Sequence, residues 1–230
     1  MAKKGKKHED GVLESAEVLA EQLTKSEQFL ENNKVTVFSI AGILAIALAS
    51  FFGYNYYMDS QNSLAQDEMF QAVYYYEQDS LDLALNGDGN YYGFLDIIDN
   101  YGATSAGNLA NFYVGSIYMK KATYESAVPF LQDFSSSDYV LQARAYSLLG
   151  DAFMQQNDFS EAANYYSKAA NDNPNEYFTP VYLLKAGLAY EKLEDFSSAT
   201  KQYETIVKDF AKSNEVDKAK KYKARLQGKS

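Results

Sequence analysis

The sequence predicts an all-α protein: one N-terminal transmembrane helix, then a solenoid of helix–turn–helix units closed by a C-terminal capping helix. Three observations carry this expectation. Val35 to Phe52 is an apolar run of 18 residues without a charge. Beyond it, a pattern of small and aromatic residues returns at a period near 34 residues, the mark of a repeat array. The last 20 residues place an apolar stripe on one helix face and Lys or Arg on the rest.

Composition narrows the function classes. With 47% hydrophobic residues the 230-residue chain can bury a core, which excludes wholesale disorder. A net charge of −10 argues against a nucleic-acid partner. The absence of Cys removes disulfides, thiolate nucleophiles, Cys-ligated zinc and an acylated lipoprotein anchor. The single histidine, His8, stands in a Lys-rich tail, so a Ser–His pair cannot be built from ordered parts. No catalytic, cofactor-binding or metal-ligating set is read, and no small-molecule substrate. A binding or structural protein is expected, not an enzyme.

Residues 1–34 form the leading tail. Val12, Leu13, Ala16, Leu19, Ala20 and Leu23 fall at helical spacing, an amphipathic helix. Thr24 with Glu27 has the spacing of a capping box opening a second helix. Residues 35–57 form the anchor: the apolar run plus Tyr54, Tyr56 and Tyr57 reaches the roughly 20 residues a bilayer core needs, with the tyrosines suited to the interfacial belt. Lys3, Lys4, Lys6, Lys7, Lys25 and Lys34 precede the span, and no Lys or Arg follows until Lys120. The positive-inside rule therefore puts the N-terminus in the cytoplasm and the bulk of the chain outside it. Ala47-Leu48-Ala49 resembles a signal-peptidase site, the competing reading. The 34 residues before the run, and its continuation through Phe51 and Phe52, favour an uncleaved anchor.

Residues 58–107 read as a linker helix and a degenerate first repeat. Met69, Phe70, Val73, Tyr74, Tyr76 and Leu81 point to a long first helix, and Tyr92, Phe94, Leu95, Ile97 and Ile98 to a shorter second one. Three clear repeats follow over 108–211. In the middle one, counted from Ala143, Tyr146, Leu149, Gly150, Phe153, Ala162, Tyr166, Ala169 and Pro174 occupy positions 4, 7, 8, 11, 20, 24, 27 and 32. These are the landmarks of the tetratricopeptide repeat. Small residues at 8 and 20 let two helices touch; large ones at 4, 11 and 24 fill the space beside them; the proline ends the second helix. Val114, Gly115, Tyr118, Ala127, Leu131 and Phe134 repeat the frame upstream, and Leu183, Ala186, Gly187, Tyr190, Ala199, Tyr203 and Ile206 downstream. The glycine spacings of 35 and 37 imply small insertions, one of them at Asn171 to Glu176. Residues 212–230 form the capping helix and basic tip, with Val216, Ala219, Tyr222 and Leu226 on its apolar face.

Asn86-Gly87-Asp88-Gly89-Asn90 places oxygens at alternate positions, but positions 6 and 12 of a calcium loop would be Tyr91 and Ile97. The pattern fails, and a tight turn between helices is expected. Charge is more informative. From Asp59 to Met119 there are nine acidic residues and no basic one, whereas the last 20 residues hold seven basic and two acidic ones. The acidic half is suited to steering a basic partner.

Stacked repeats curve, and the first helix of each pair lines the concave side, where positions 2, 5, 6, 9, 12 and 13 point. A partner-binding groove is expected there. The first clear repeat contributes Leu109, Phe112, Ser116 and Met119; the second Arg144, Leu148, Asp151 and Met154; the third Val181, Leu184, Lys185 and Leu188. Position 9 holds Ser116, Asp151 and Leu188, never Asn, which argues against the carboxylate clamp of chaperone-binding tetratricopeptide domains. The largely apolar lining suits an amphipathic helix or an unfolded apolar stretch.

Two regions together resemble the single-span ancillary subunit of the bacterial Sec translocon: Phe29…Glu31-Asn32-Asn33-Lys34 leading into a span closed by aromatics, and the tetratricopeptide array that follows. The resemblance implies a single-pass protein of the bacterial inner membrane with a periplasmic repeat domain. It implies Sec translocon subunits, and a periplasmic chaperone or unfolded secreted chain, as partners in protein export. The chain departs from that family in its Lys-rich tail and its Tyr-rich, acidic first repeat. The alternative is a structural envelope protein acting by protein–protein contact in cell division or outer-membrane assembly.

Overall fold

The computed structural model describes residue 21 and residues 23–228, with helices, turns and loops and no strand among the described residues. Two compact units divide the chain, Met1–Tyr57 and Met58–Ser230.

In the first unit, α1 (23–32) gives way at a turn on Asn33 to α2 (Lys34–Glu77). The Asn33 side-chain amide donates to the Phe29 carbonyl at 2.9 Å, so the residue closes α1 with its own side chain. Residues 21 and 23 are already helical. Thr24 therefore lies within a helix and does not open one, contrary to the capping-box expectation. The expected stripe from Val12 to Ala20 lies outside the described residues. An 18-residue window of α2 has a mean hydropathy of 2.4 and is 0% buried within the protein. A helix apolar on every side and covered by none of its own chain needs apolar surroundings. This one is long and apolar enough to cross a bilayer.

Among the described residues the second unit holds the rest of α2 and nine further helices: α3 (Leu81–Asn86), α4 (Phe94–Tyr101), α5 (Ser105–Lys120), α6 (Tyr124–Asp133), α7 (Tyr139–Gln155), α8 (Phe159–Asp172), α9 (Thr179–Lys192), α10 (Phe196–Asp209) and α11 (Val216–Leu226). α5 pairs with α6, α7 with α8 and α9 with α10, and each pair's second helix packs on the first helix of the next. The close approach has a defined cause. A Cβ on Gly115 would meet the Leu131 side chain at 2.5 Å, one on Gly150 the Tyr166 ring at 2.5 Å, and one on Gly187 the Tyr203 ring at 2.3 Å. Each glycine at position 8 thus receives the side chain at position 24.

The turns repeat as regularly. Ala122, Asn157 and Glu194, all at position 15, have φ of 55°, 60° and 60°. The next residue's N–H then reaches back five residues, Thr123 to Tyr118, Asp158 to Phe153 and Asp195 to Tyr190, at 2.9–3.0 Å, closing the helix as a Schellman turn does. Asp158 and Asp195 then cap the following helix, their carboxylates accepting from the N–H of Glu161 and Ser198.

The same turn identifies the first repeat. Asp79 has φ 56° and the Ser80 N–H donates to the Tyr75 carbonyl at 2.9 Å. Counting back makes Ala65 position 1, and positions 8 and 20 fall on Ala72 and Ala84, both fully buried. The second helix of this repeat is broken in two. α3 ends at Gly87, with φ 76°, and the chain does not resume a helix until Phe94. Here glycine is required: a Cβ on Gly93 would lie 2.3 Å from the Gly87 nitrogen, and one on Gly87 would lie 2.3 Å from the Tyr91 carbonyl oxygen. The Asp88 carboxylate accepts from the N–H of Asn90 and Tyr91 at 2.9 and 2.8 Å and from the Tyr75 hydroxyl at 2.9 Å. These bonds hold its carboxyl below the usual range. Two expectations are corrected by this break. Leu81 opens α3 and does not extend the first helix, and Tyr92 lies in the loop, not on the second helix. At the far end α11 packs on α10 as the capping helix, burying Ala219 and Leu226.

Candidate protein-binding site

The concave-side residues divide by burial. Phe112 and Ser116 are 8% and 7% exposed; Phe112 packs with Phe134, its ring 5.2 Å away, in a cluster with Leu131, Ala145 and Leu149. Neither offers a surface to a partner, so the expected groove loses these two residues. Leu109 and Met119 are half-buried against the same cluster, Leu184 against the cluster around Tyr203, and Met154 against Ala162, Ala163 and Ala186. Leu188 is half-buried on α9.

Four of the expected residues do come together. Arg144, Leu148 and Asp151 of α7 and Lys185 of α9 line one open cavity of about 290 Å³, with Val140, Ser147, Phe178 and Tyr182. Val181 lines a second, larger cavity of about 890 Å³, with Tyr177, Phe178, Lys208, Lys212 and the turn before α11. Phe178 stands at both.

The polar end of the smaller cavity is bonded. Lys185 donates to both Asp151 oxygens at 2.8 and 2.9 Å and to the Ser147 hydroxyl at 3.1 Å. The Tyr166 hydroxyl donates to Asp151 at 2.6 Å. Burial, reinforced by the Asp151 charge, pushes the Tyr166 phenol far above its ordinary range, so it stays a donor. Burial likewise raises Tyr182. Arg144 is exposed and has no ion-pair partner among the described residues. Two cations against one carboxylate leave the cavity with a surplus positive charge beside the apolar Val140, Leu148 and Phe178. This arrangement can hold an apolar segment that carries an acidic group.

Ser147, Val140, Tyr182 and Phe178 were missing from the expected lining. Ser147 occupies position 5, which the repeat frame already directs into the groove. Val140 precedes the frame counted from Ala143, because α7 begins four residues earlier, and Phe178 stands in the insertion between repeats. No periodic pattern reaches either.

Family models of the tetratricopeptide repeat match residues 143–176 and 182–213. No curated protein matches the chain. The two matches fall on the α7–α8 and α9–α10 pairs, and the pairs before them share the left-handed turn at position 15. The chain is thus an all-helical protein whose second unit carries tetratricopeptide repeats, an architecture that points to protein–protein interaction.

Proposed function

We propose that this protein is a non-enzymatic, membrane-anchored adaptor, held by residues 35–57 in the bacterial inner membrane with its repeats on the periplasmic side. It associates with the Sec translocon and with periplasmic chaperones, and takes a partner helix or an emerging apolar chain on the first helices of its repeats. The observation that carries the reading is the union in one chain of a span-length apolar helix and a repeat array with an open, apolar and positively biased cavity between α7 and α9. The six basic residues before the span, with none until Lys120, support the topology. The likeness of the span and its lead to the Sec ancillary subunit supports the partner.

The test is photo-crosslinking from position 140 in native membranes, with identification of the adduct. A Sec channel subunit, periplasmic chaperone or exported chain is expected. Arg144→Glu, at an exposed residue, should lower the yield, and Leu148→Asp should abolish it while helix content is kept. An unchanged yield in both variants removes the cavity from the reading. Recovery of division or outer-membrane assembly proteins without a Sec component replaces the export role with a structural one.

A further inference from the structure

The first repeat presents a helix face that every later repeat keeps covered. In α5, α7, α9 and α11 the residues at positions 3 and 10 lie against the preceding helix. They are Ala110 and Ile117, Ala145 and Ala152, Tyr182 and Ala189, and, counting α11 from Asp217, Ala219 and Leu226. All are 8% exposed or less. The matching residues of α2 are Asp67 and Tyr74. Asp67 is exposed, Tyr74 is 50% exposed, and Phe70 beside them is 73% exposed. At about 100° per residue, Asp59, Asp67, Phe70, Tyr74 and Glu77 share one side of α2, opposite Ala65, Met69 and Ala72, which face the core.

We propose that this face of α2 is the docking site for a basic amphipathic helix of another protein, seated where the second helix of a preceding repeat would lie. The later repeats supply the geometry. A helix laid on positions 3 and 10 of the next one is the contact the array makes four times over. Charge defines the occupant. Where the covered seams carry Ala or Tyr at position 3, this one carries Asp67, flanked by Asp59 and Glu77. None of the three has an ion-pair partner among the described residues. Covering a carboxylate without a cation is costly, so the incoming helix must set Lys or Arg against Asp67 and apolar side chains against Phe70 and Tyr74. The aromatic faces add a second attraction for the cations.

A second copy fits poorly. Between residues 35 and 119 the chain has no Lys or Arg, so two α2 faces would oppose acid to acid. Among the described residues the one Lys-rich helix, α11, has its apolar residues Val216, Ala219, Tyr222 and Leu226 engaged against the cluster formed with α10. The site is separate from the cavity between α7 and α9, and the inference does not depend on that cavity's partner.

The experiment places a photo-crosslinking amino acid at Phe70 in the full chain in its native membranes, with Ser197, an exposed residue of α10, as the control position. The expected result is an adduct at Phe70 above the control, whose crosslinked peptide carries Lys or Arg within one helical turn of apolar residues. Asp67→Lys and, separately, Glu77→Lys should each lower its yield at least about fivefold, with helix content by circular dichroism unchanged. The proposal is overturned by no adduct above the control, by an adduct of twice the chain mass, by an acidic or uncharged crosslinked segment, or by a yield that neither charge reversal changes.

Discussion

In the repeat built from α9 and α10, Gly187 receives the ring of Tyr203, and the Tyr203 hydroxyl donates to Glu191 at 2.7 Å. Arg225 of the capping helix then holds both Glu191 oxygens at 2.7 and 2.8 Å. The preceding repeat uses the same plan, with Gly150, Tyr166, Asp151 and Lys185. In the first repeat, position 8 is Ala72 and position 24 is Asp88, a loop residue. No buried tyrosine crosses between its two helices, and Ser80 makes no side-chain cap where Asp158 and Asp195 do. Its order comes instead from the backbone contact of Gly87 with Gly93 and from Phe94 stacked on Tyr113 of α5, 4.6 Å between rings. Its acids are tied at the edge by Lys120 on Asp79 at 2.9 Å and by Lys121 on Asp82. The difference teaches that position 8 is glycine where a large side chain arrives from position 24, and alanine where none does. It also shows that the second helix of a repeat can be interrupted by a loop when a neighbouring helix supplies the missing core.

The contrast can be broken at either end. Gly93→Ala should have the largest effect, about 3 kcal/mol of destabilisation, because its Cβ would meet backbone, which no rotamer change relieves. Thermal unfolding measures it, and hydrogen exchange should report the loss first in α3 and α4. Gly187→Ala comes next, at about 2 kcal/mol, since Tyr203 is fully buried and has nowhere to swing. Ala72→Gly, the reverse change in the first repeat, should cost about 1 kcal/mol, the helix-propensity difference. A gain in stability there would mean that the first repeat is crowded at position 8 like the others.

Alkaline titration sharpens the comparison. An ordinary tyrosine ionises near pH 10, but burial holds Tyr166 and Tyr203 protonated well above that in the folded chain. Above pH 10 the unfolded chain therefore releases protons that the folded one retains, and stability falls as pH rises. The cost is about 1.4 kcal/mol per buried tyrosine at pH 11. A late increment in tyrosinate absorbance, from the buried tyrosines, should accompany unfolding of α7 to α11, and Tyr166→Phe should shallow the stability slope.

The smallest effect is a gain. Glu194 holds φ 60° without being glycine, and Glu194→Gly should stabilise by about 0.5 kcal/mol, the left-handed strain relieved less the entropy glycine adds to the unfolded state. A loss of stability would show that the Glu194 side chain contributes a contact that outweighs the strain.

Much of this architecture was legible in the residues. The 18-residue uncharged run names a span-length helix by itself, because bilayer thickness is a length criterion. The recurrence of Gly115, Gly150 and Gly187 named the repeats, because close helix approach excludes every side chain but the smallest. The candidate site was legible only in part. Arg144, Leu148, Asp151 and Lys185 meet as their repeat positions direct, while one repeat earlier Ser116, at the position of Asp151, and Phe112, at the position of Ser147, are covered by neighbouring side chains.

What the sequence alone determined is therefore what rests on local spacing: helix faces, the small residues between paired helices, the capping helix and the segregation of charge. Only the tertiary structure decided what rests on distant groups meeting. Periodicity describes one helix at a time. It cannot say that Gly87 and Gly93 close on each other and split a helix. Nor can it say that Lys185 reaches back 34 residues to neutralise Asp151, or that among the described residues no preceding helix covers the face of Asp67 and Tyr74. Those outcomes depend on which surfaces the stacked helices bring together, and burial is a property of the pair, not of either residue's place in the chain.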